Sequence, residues 1–547
     1  MPELTRRSVL AGSAAAGLTL LASRGVASAA PRRVPTTREE HRVVVVGSGF
    51  GGGVTALRFA QAGIPVLVLE RGKRWVAGPG LDTFPSFRTG LDERIAWKNS
   101  LAAPLAGPLN SVHALLGLIG PGGNPLGLPS PLAGPHLGLL ERVAGNGMDI
   151  MCAAGVGGGS LAYQGMSLQP TRPLFEATMP AGLDYDELDR VHYPRVAQML
   201  RLATAPDSIV ETPNYTTPRT FARRTQAAGY AVEKVPMPLD WSYAQRELDG
   251  EMPPSMSNGD CGFGVNNGGK NSVDVTYLAQ AEATGRVTVA AQHEVTDVVR
   301  LGDGRWQLLV DRLALDGTVL EHKVVTTTAL VMAAGTAGTV RLLMRAQQRG
   351  GIPDLPDGLG EGWGSNGDRI CVWLGPGEEL TMPQGGPVVY CSKEWDDPAT
   401  ANTIIQASIP PLPQVPVTMV VGYGISEGRG RFRWDHLRDD AVLDWSPFAD
   451  ARLATRIRTR MAEITGPGAL VLDTTTPAPS TWHPLGGAAM GSVCDLEGRV
   501  AGQRGLYVLD GALIPGNTAA CNPSLTIAAV VERATDRLLA TDAGTVF

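Results

Sequence analysis

Little in this chain points to metal or dithiol chemistry. Its six cysteines, Cys152, Cys261, Cys371, Cys391, Cys494 and Cys521, are widely spaced and include no C-x-x-C pair. That spacing excludes the common zinc and dithiol motifs, so no metal is expected. The cysteines fit better as small buried apolar residues than as disulfide partners. Basic charge is also short: 47 Lys and Arg against 53 Asp and Glu leave a net charge of −6 and no basic face for nucleic acid. Beyond the N-terminus no uninterrupted apolar run is long enough to span a bilayer, because the uncharged stretch 101–140 is broken repeatedly by proline and glycine.

What remains is an ordinary globular composition, 43% apolar and 18% charged, over 547 residues. That length favours two intimately joined domains able to bury a large cofactor. The 68 glycines and 41 prolines imply more turns and close backbone approaches than a helical bundle tolerates. The chain starts with Arg6 and Arg7, an apolar Ala-rich segment and small residues at Ala27–Ala29. This is the pattern of an export signal over 1–29, and the paired arginines suggest the twin-arginine type, so a secreted protein is expected.

Residues 42–75 read RVVVVGSGFGGGVTALRFAQAGIPVLVLERGKRW. Four valines predict a buried parallel strand, followed by a turn in which Gly47, Gly49 and Gly52 fit G-x-G-x-x-G. The first glycine permits the turn, the second admits a pyrophosphate, and the third lets helix pack on strand. The helix N-terminus supplies free N–H groups and positive potential for the diphosphate. A second strand ends at Glu70, whose carboxylate suits ribose hydroxyls and repels a 2′-phosphate. An adenine dinucleotide is expected, and these residues leave nicotinamide and flavin both open.

Other motifs follow: GVGGGSL at 155–161, LVMAAGTAGTVRLL after a strand, LGEGWGSNGD, WHPLGG, and VLDGALIPGN with NPSLTIAA near the end. Together with the N-terminal unit and KNSVDVTYLAQAEATGRVTV, they resemble the glucose-methanol-choline (GMC) oxidoreductases, within them the bacterial cholesterol oxidases with non-covalent FAD. The resemblance covers most of the chain after the signal and is weakest over 76–146. It implies an α/β protein in which a discontinuous, Rossmann-like FAD-binding domain (40–80, 271–362 and 499–547) is interleaved with a mixed-sheet, helix-flanked substrate domain (81–270 and 363–498). It further implies FAD contacts at Gly47, Gly49, Phe50, Gly51, Gly52, Glu70, Gly155, Gly157, Gly158, Gly159, Ser160, Val295, Gly335, Asp510, Gly511, Asn522 and Pro523.

Alcohol oxidation sends a hydride to flavin and the hydroxyl proton to a base. Histidine suits the second task because its ordinary pKa lies near neutrality. The resemblance makes His483 that base and Asn522 its amide partner, although Asn522-Pro523 is equally a helix-start signature. The helix after Pro523 has an apolar face (Leu525, Ile527, Val530, Val531, Ala534, Leu538), and its N-terminus would stabilise negative charge on reduced flavin. An ordinary packing helix has the same pattern.

The family pattern fails in two places. Ser408, in IIQASIPPLP, stands where cholesterol oxidases carry the carboxylate that isomerises the steroid double bond. Tyr163-Gln164 replaces the family's Asn-Gly. Tyr163, Gln164, Met166 and Ser408 are therefore the expected substrate-pocket residues. The leading expectation is secreted, FAD-dependent oxidation of a hydrophobic secondary alcohol, sterol-like or polycyclic, to a ketone with oxygen reduced to hydrogen peroxide. A flavin dehydrogenase tailoring another natural-product alcohol with a different acceptor is the alternative, and a flavin- or lipid-holding protein without catalysis is a third. The 101–140 insert is either an apolar lid that touches a membrane surface transiently or an irregular packed insertion. The sequence leaves the oligomeric state open.

Overall fold

In the computed structural model, residues 33–98, 100, 135–411, 415–476 and 479–547 are described. The expected export signal and, apart from 135–140, the apolar insert lie outside the described residues.

Strand β1 (Thr36–Val46) begins polar and part-exposed and ends in the four valines, all buried. A continuous apolar run of this kind is stable where both sheet faces are covered. It pairs in parallel with β2 (Val66–Glu70), Val43 opposite Val66 and Val46 opposite Leu69. Helix α1 (Phe50–Gln61) connects them. The same sheet receives β3 (Val287–Ala291), β4 (His293–Arg300), β5 (Trp306–Leu313), β6 (Val319–Met332) and β7 (Leu506–Val508). Its order is β3-β2-β1-β6-β5-β4, with β7 also on β6. The long β6 serves two partners along one edge: its first part pairs antiparallel with β5, and Leu330–Met332 pair in parallel with β7. Segments near both ends and the middle of the chain thus share one sheet.

Helix α2 (Thr336–Gln348) follows β6 directly, and α3 (Pro523–Thr541) closes the sheet against α1. Sequence reading expects α3 to bury one face. The structure buries 13 of its 19 residues, including Thr526, Glu532, Arg533 and Thr535 beside the apolar stripe. Glu532 is tolerated there because Arg58 (3.3 Å), Arg195 (2.9 Å) and the Tyr277 hydroxyl (3.0 Å) surround it.

A second sheet runs in the order Leu470–Asp473, Arg369–Leu374, Val417–Gly424, Asn402–Ala407, Val388–Glu394, Glu233–Lys234. A mixed sheet is expected here, yet every pair is antiparallel. Val388–Glu394, Asn402–Ala407 and Val417–Gly424 are consecutive in sequence and joined by short connections, which favour antiparallel pairing. Helices Ala451–Thr465 and Thr216–Ala227 pack against it.

A third, small sheet positions the chemistry. Ser480–Thr481 pair in parallel with Asp149–Ala153, so the residues before His483 are hydrogen-bonded to the strand that leads into the 155–160 glycine run. Gly364 and Leu485 exchange two backbone bonds of 2.9 and 3.0 Å, and the Gly486 N–H donates to Gly511 (2.9 Å). The histidine loop is therefore held from three sides.

Candidate active site

One cavity of about 500 Å3 runs between the two large sheets, within the range of preformed cofactor and ligand pockets. At one end lie Gly47, Gly49, Phe50, Gly51 and Glu70, with Val295 of β4 beyond. Gly47 has φ +98°, and a Cβ there would fall 2.2 Å from the Ala333 carbonyl. A Cβ on Gly51 would fall 1.7 Å from the Leu509 carbonyl. Gly49 alone of the three has room, its nearest neighbour being Gly158 Cα at 3.8 Å. Glu70 accepts from the Ser48 hydroxyl (2.6 Å) and N–H (3.2 Å) and from the Gly72 N–H (2.8 Å). A carboxylate has about four acceptor positions, so one remains free of the protein donors named here.

Three helices begin at this cavity. α1 starts at Gly49, α2 at Gly335 and α3 at Asn522, and none has a side-chain cap or an acidic residue in its first turn. Uncapped N-termini present unpaired N–H groups and positive potential. Behind Gly335 sits Asp510, which accepts from Thr339 Oγ1 (2.6 Å) and the Ala512 N–H (2.8 Å); burial pushes its carboxyl up to about 6.

At the other end is His483. Its Nδ1 lies 2.6 Å from Asp368 Oδ1, so Nδ1 is the protonated nitrogen and Nε2 is left as an acceptor. Asp368 is 4% exposed, and its second oxygen accepts from Thr481 Oγ1 (2.8 Å) and the Trp482 N–H (3.0 Å). The buried Tyr423 ring meets the imidazole edge-on at 5.6 Å and fixes its plane.

Asn522 reaches the cavity but is heavily engaged. Its Nδ2 donates to the Met166 carbonyl and to Ser524 Oγ (2.9 Å), and its Oδ1 accepts from the Leu168 N–H (3.1 Å). It occupies the N-cap position without capping; one Oδ1 lone pair is left for a substrate hydroxyl. Tyr163 and Gln164 line the cavity, and Tyr163 Oη and Gln164 Oε1 have no protein partner. Burial holds the Tyr163 phenol above its ordinary pKa, so it is a hydrogen-bond donor. Behind it the buried Lys270 ammonium donates to the carbonyls of Leu161 (2.9 Å) and Tyr163 (2.5 Å) and sits over the phenol ring. Burial lowers this amine to about 7. Ser408 faces the cavity with its hydroxyl committed to the Gly385 carbonyl (2.6 Å).

Gly158, Gly159, Met166, Gly335, Asp510, Gly511 and Pro523 also line the cavity. Gly52, Gly155, Gly157 and Ser160 do not. Gly52 lies against the Gly47 carbonyl, where a Cβ would sit 2.1 Å away. Gly155 and Gly157 bracket the Ser48 hydroxyl, and Ser160 Oγ bonds the Gly157 carbonyl and the Val273 N–H. All four shape the wall from behind. Sequence reasoning missed Asp368, although LGEGWGSNGD ends on it; an acidic residue after a Ser-Asn-Gly turn was the available signal. It also missed Arg71, Glu141 and Arg341. Burial alone would push the Glu141 carboxyl up, and Arg71 (2.5 Å) and Arg341 (3.5 Å) more than reverse this, leaving it below its ordinary value. Cys152 lines the same end as an inert thiol, pushed up to about 12 by burial. All six cysteines are free. Among the described residues no cluster of three or more His, Cys, Asp or Glu could hold a metal ion, and no helix is long and apolar enough to cross a membrane.

Residues 449–530, which contain His483, Asp510 and Asn522, match the C-terminal domain of the GMC oxidoreductases. Over most of its length the chain is similar to curated cholesterol oxidases. It is 25% identical over 582 aligned residues to a cholesterol oxidase of Mycobacterium tuberculosis, covering 91% of each chain. It is 22% identical over 573 residues to a cholesterol oxidase of Acinetobacter baumannii, covering 90% of this chain and 94% of that one. Its fold is similar to the crystal structure of pyridoxine 4-oxidase from Mesorbium loti, with a TM-score of 0.59 at 15% identity over 91% of this chain and 99% of that one.

The C-terminal match and these relatives support an FAD-dependent alcohol oxidoreductase. The residues present fit that cofactor. The glycine turn leaves backbone room at Gly49, and the uncapped helix ends suit a diphosphate and a polar ring edge.

Proposed function

We propose that this enzyme oxidises an apolar secondary alcohol, sterol-like or polycyclic, to a ketone, with molecular oxygen as electron acceptor and hydrogen peroxide as product. The observation that carries the reading is one cavity joining the glycine turn and Glu70 to His483 and Asn522. Beyond the histidine it continues past Phe87, Phe263, Ile405, Ile409, Met419 and Trp482. Such apolar walls fit a hydrocarbon body, and desolvating it drives binding.

FAD, when bound, supplies the hydride acceptor. The first sheet, with the segments 40–80, 271–362 and 499–547, would form a Rossmann-like domain that holds it, and 81–270 and 363–498 would form the substrate side. His483 Nε2 accepts the hydroxyl proton, and the Asn522 Oδ1 lone pair orients that hydroxyl. Met166 and Leu168 are held in place by the Asn522 amide. Ser408 has no carboxylate to carry a proton between carbons, so the ketone would leave without isomerisation. The paired arginines near the N-terminus support export by the twin-arginine route.

Tyr163 Oη and Gln164 Oε1 favour a second reading, in which the substrate carries an additional polar group and electrons pass to an acceptor other than oxygen. One experiment separates the two. Holoenzyme is mixed anaerobically with sterols, terpenoid alcohols and long-chain alcohols while flavin absorbance is followed, and peroxide is then measured in air. Bleaching by sterols with stoichiometric peroxide supports the first reading; bleaching without peroxide supports the second. His483→Ala should retain FAD and bleach at least about 100-fold more slowly. An undiminished rate would remove the histidine from the mechanism.

A further inference from the structure

We infer that Asp368 is a positioning residue that fixes the tautomer of His483 and stabilises its protonated form. This rests on the reading of His483 as the base. The carboxylate is nearly buried and lies 2.6 Å from Nδ1. Its orientation is fixed by the Trp482 N–H and the Thr481 hydroxyl on its other oxygen. The turn that carries it, Ser365-Asn366-Gly367-Asp368, is itself pinned: Ser365 Oγ donates to the buried Asp450 (2.8 Å). Asn366 Nδ2 donates to the Cys521 carbonyl (2.7 Å), and its Oδ1 accepts from the Thr518 N–H (2.9 Å). One turn therefore holds the histidine through Asp368 and the backbone immediately before Asn522 through Asn366.

The chemical consequence concerns protons. With Nδ1–H committed to Asp368, the lone pair is on Nε2. When the alcohol O–H bond breaks, its proton moves to Nε2; FAD, if bound, would be the acceptor for the carbinol hydride. The resulting imidazolium then faces a carboxylate across a charge-assisted hydrogen bond. Asparagine at 368 would invert this arrangement. The Trp482 N–H can only donate, so the asparagine oxygen must face it and the NH2 must face Nδ1. The imidazole proton would then move to Nε2, and the base would be lost.

The test has a readout that needs no turnover. In 15N-histidine-labelled holoenzyme, at a pH well above the ordinary imidazole range, the His483 signal is identified by its loss in His483→Gln. It should show Nδ1 protonated and Nε2 bare in the wild type, and the reverse in Asp368→Asn. Anaerobic flavin reduction in Asp368→Asn should slow on the order of 100-fold or more, at unchanged FAD content and an apparent substrate affinity within about 3-fold. Asp368→Ala, which cannot invert the tautomer, should reduce flavin faster than Asp368→Asn although it is the less stable protein. A merely structural role predicts the opposite order. The proposal is overturned if wild-type His483 carries its proton on Nε2, or if Asp368→Asn reduces flavin at the wild-type rate while His483→Ala does not. If His483→Ala is also unimpaired, the reading of the base fails instead.

Discussion

Gly49→Ala should remove the cofactor and leave the fold. Gly49 has φ −72° and extended ψ, so alanine is unstrained there, and its Cβ would meet only Gly158 Cα at 3.8 Å. A glycine-to-alanine change at a compatible position stabilises by about 0.4–1 kcal/mol through the unfolded chain. The cofactor-free variant should therefore melt at or slightly above the wild-type temperature. The new methyl, however, occupies the space beside the α1 N-terminus that a diphosphate needs. Losing one or two hydrogen bonds from backbone N–H to a charged oxygen, each about 1.5–3 kcal/mol, weakens FAD binding by roughly 10-fold to 20,000-fold. Gly51→Ala is the control of opposite sign. Its Cβ would lie 1.7 Å from the Leu509 carbonyl, backbone against backbone. Relief of that overlap costs at least about 1–3 kcal/mol, so its cofactor-free form should melt lower. Thermal melts of flavin-stripped protein, with FAD titration by fluorescence quenching, measure both quantities. Equal melting losses in the two variants, or an unchanged FAD affinity in Gly49→Ala, would refute the division of roles within the motif.

Asp510 is protonated more readily folded than unfolded, about 6 against 3.8, so the wild type loses stability as pH rises through that window. Flavin-free Asp510→Asn should lack this loss: its melting advantage should be absent around pH 4 and present around pH 7, and a flat difference would refute the assignment. Lys270 has the complementary sign. Its folded value is about 7 against 10.5, so wild-type stability rises between those limits relative to Lys270→Met, and parallel melting curves across that range would count against an amine lowered by burial. Ser408→Ala should lower the melting temperature by stranding the Gly385 carbonyl, about 1–3 kcal/mol. With a sterol bearing an isomerisable double bond the wild-type product should stay unconjugated, and appearance of the conjugated enone absorbance would show that another group carries the proton.

The nucleotide end of the site was legible because its physics is local. Val43–Val46, the turn at Gly47–Gly52 and Glu70 lie within one βαβ unit, and each residue type is demanded by its own backbone or by the adjacent strand. The sheet's membership was legible only through resemblance. Nothing in the composition of Val319–Met332 says that its two halves will pair with different strands, one of them some 175 residues downstream. The antiparallel character of the second sheet was missed because side-chain pattern does not encode strand direction: connection length sets it for the three consecutive strands between Val388 and Gly424, and the others join from distant segments.

The His483 end of the cavity was half legible, and the missing half shows why. His483 and Asn522 each stand beside a proline, where a conformational reading competes with a chemical one, and spacing cannot choose. Resolution comes from residues more than 100 positions away: Asp368 for the imidazole, Met166 and Leu168 for the amide. Those contacts also change the roles. An asparagine with both amide hydrogens committed serves the loop beneath the substrate first, and a histidine with Nδ1 committed has one usable nitrogen. A single Ser-Asn-Gly-Asp turn reaches both segments. Displacement of that turn should therefore impair the two groups together, so substitutions at 366 and 368 should be non-additive in flavin reduction rate, whereas sites that act independently would add.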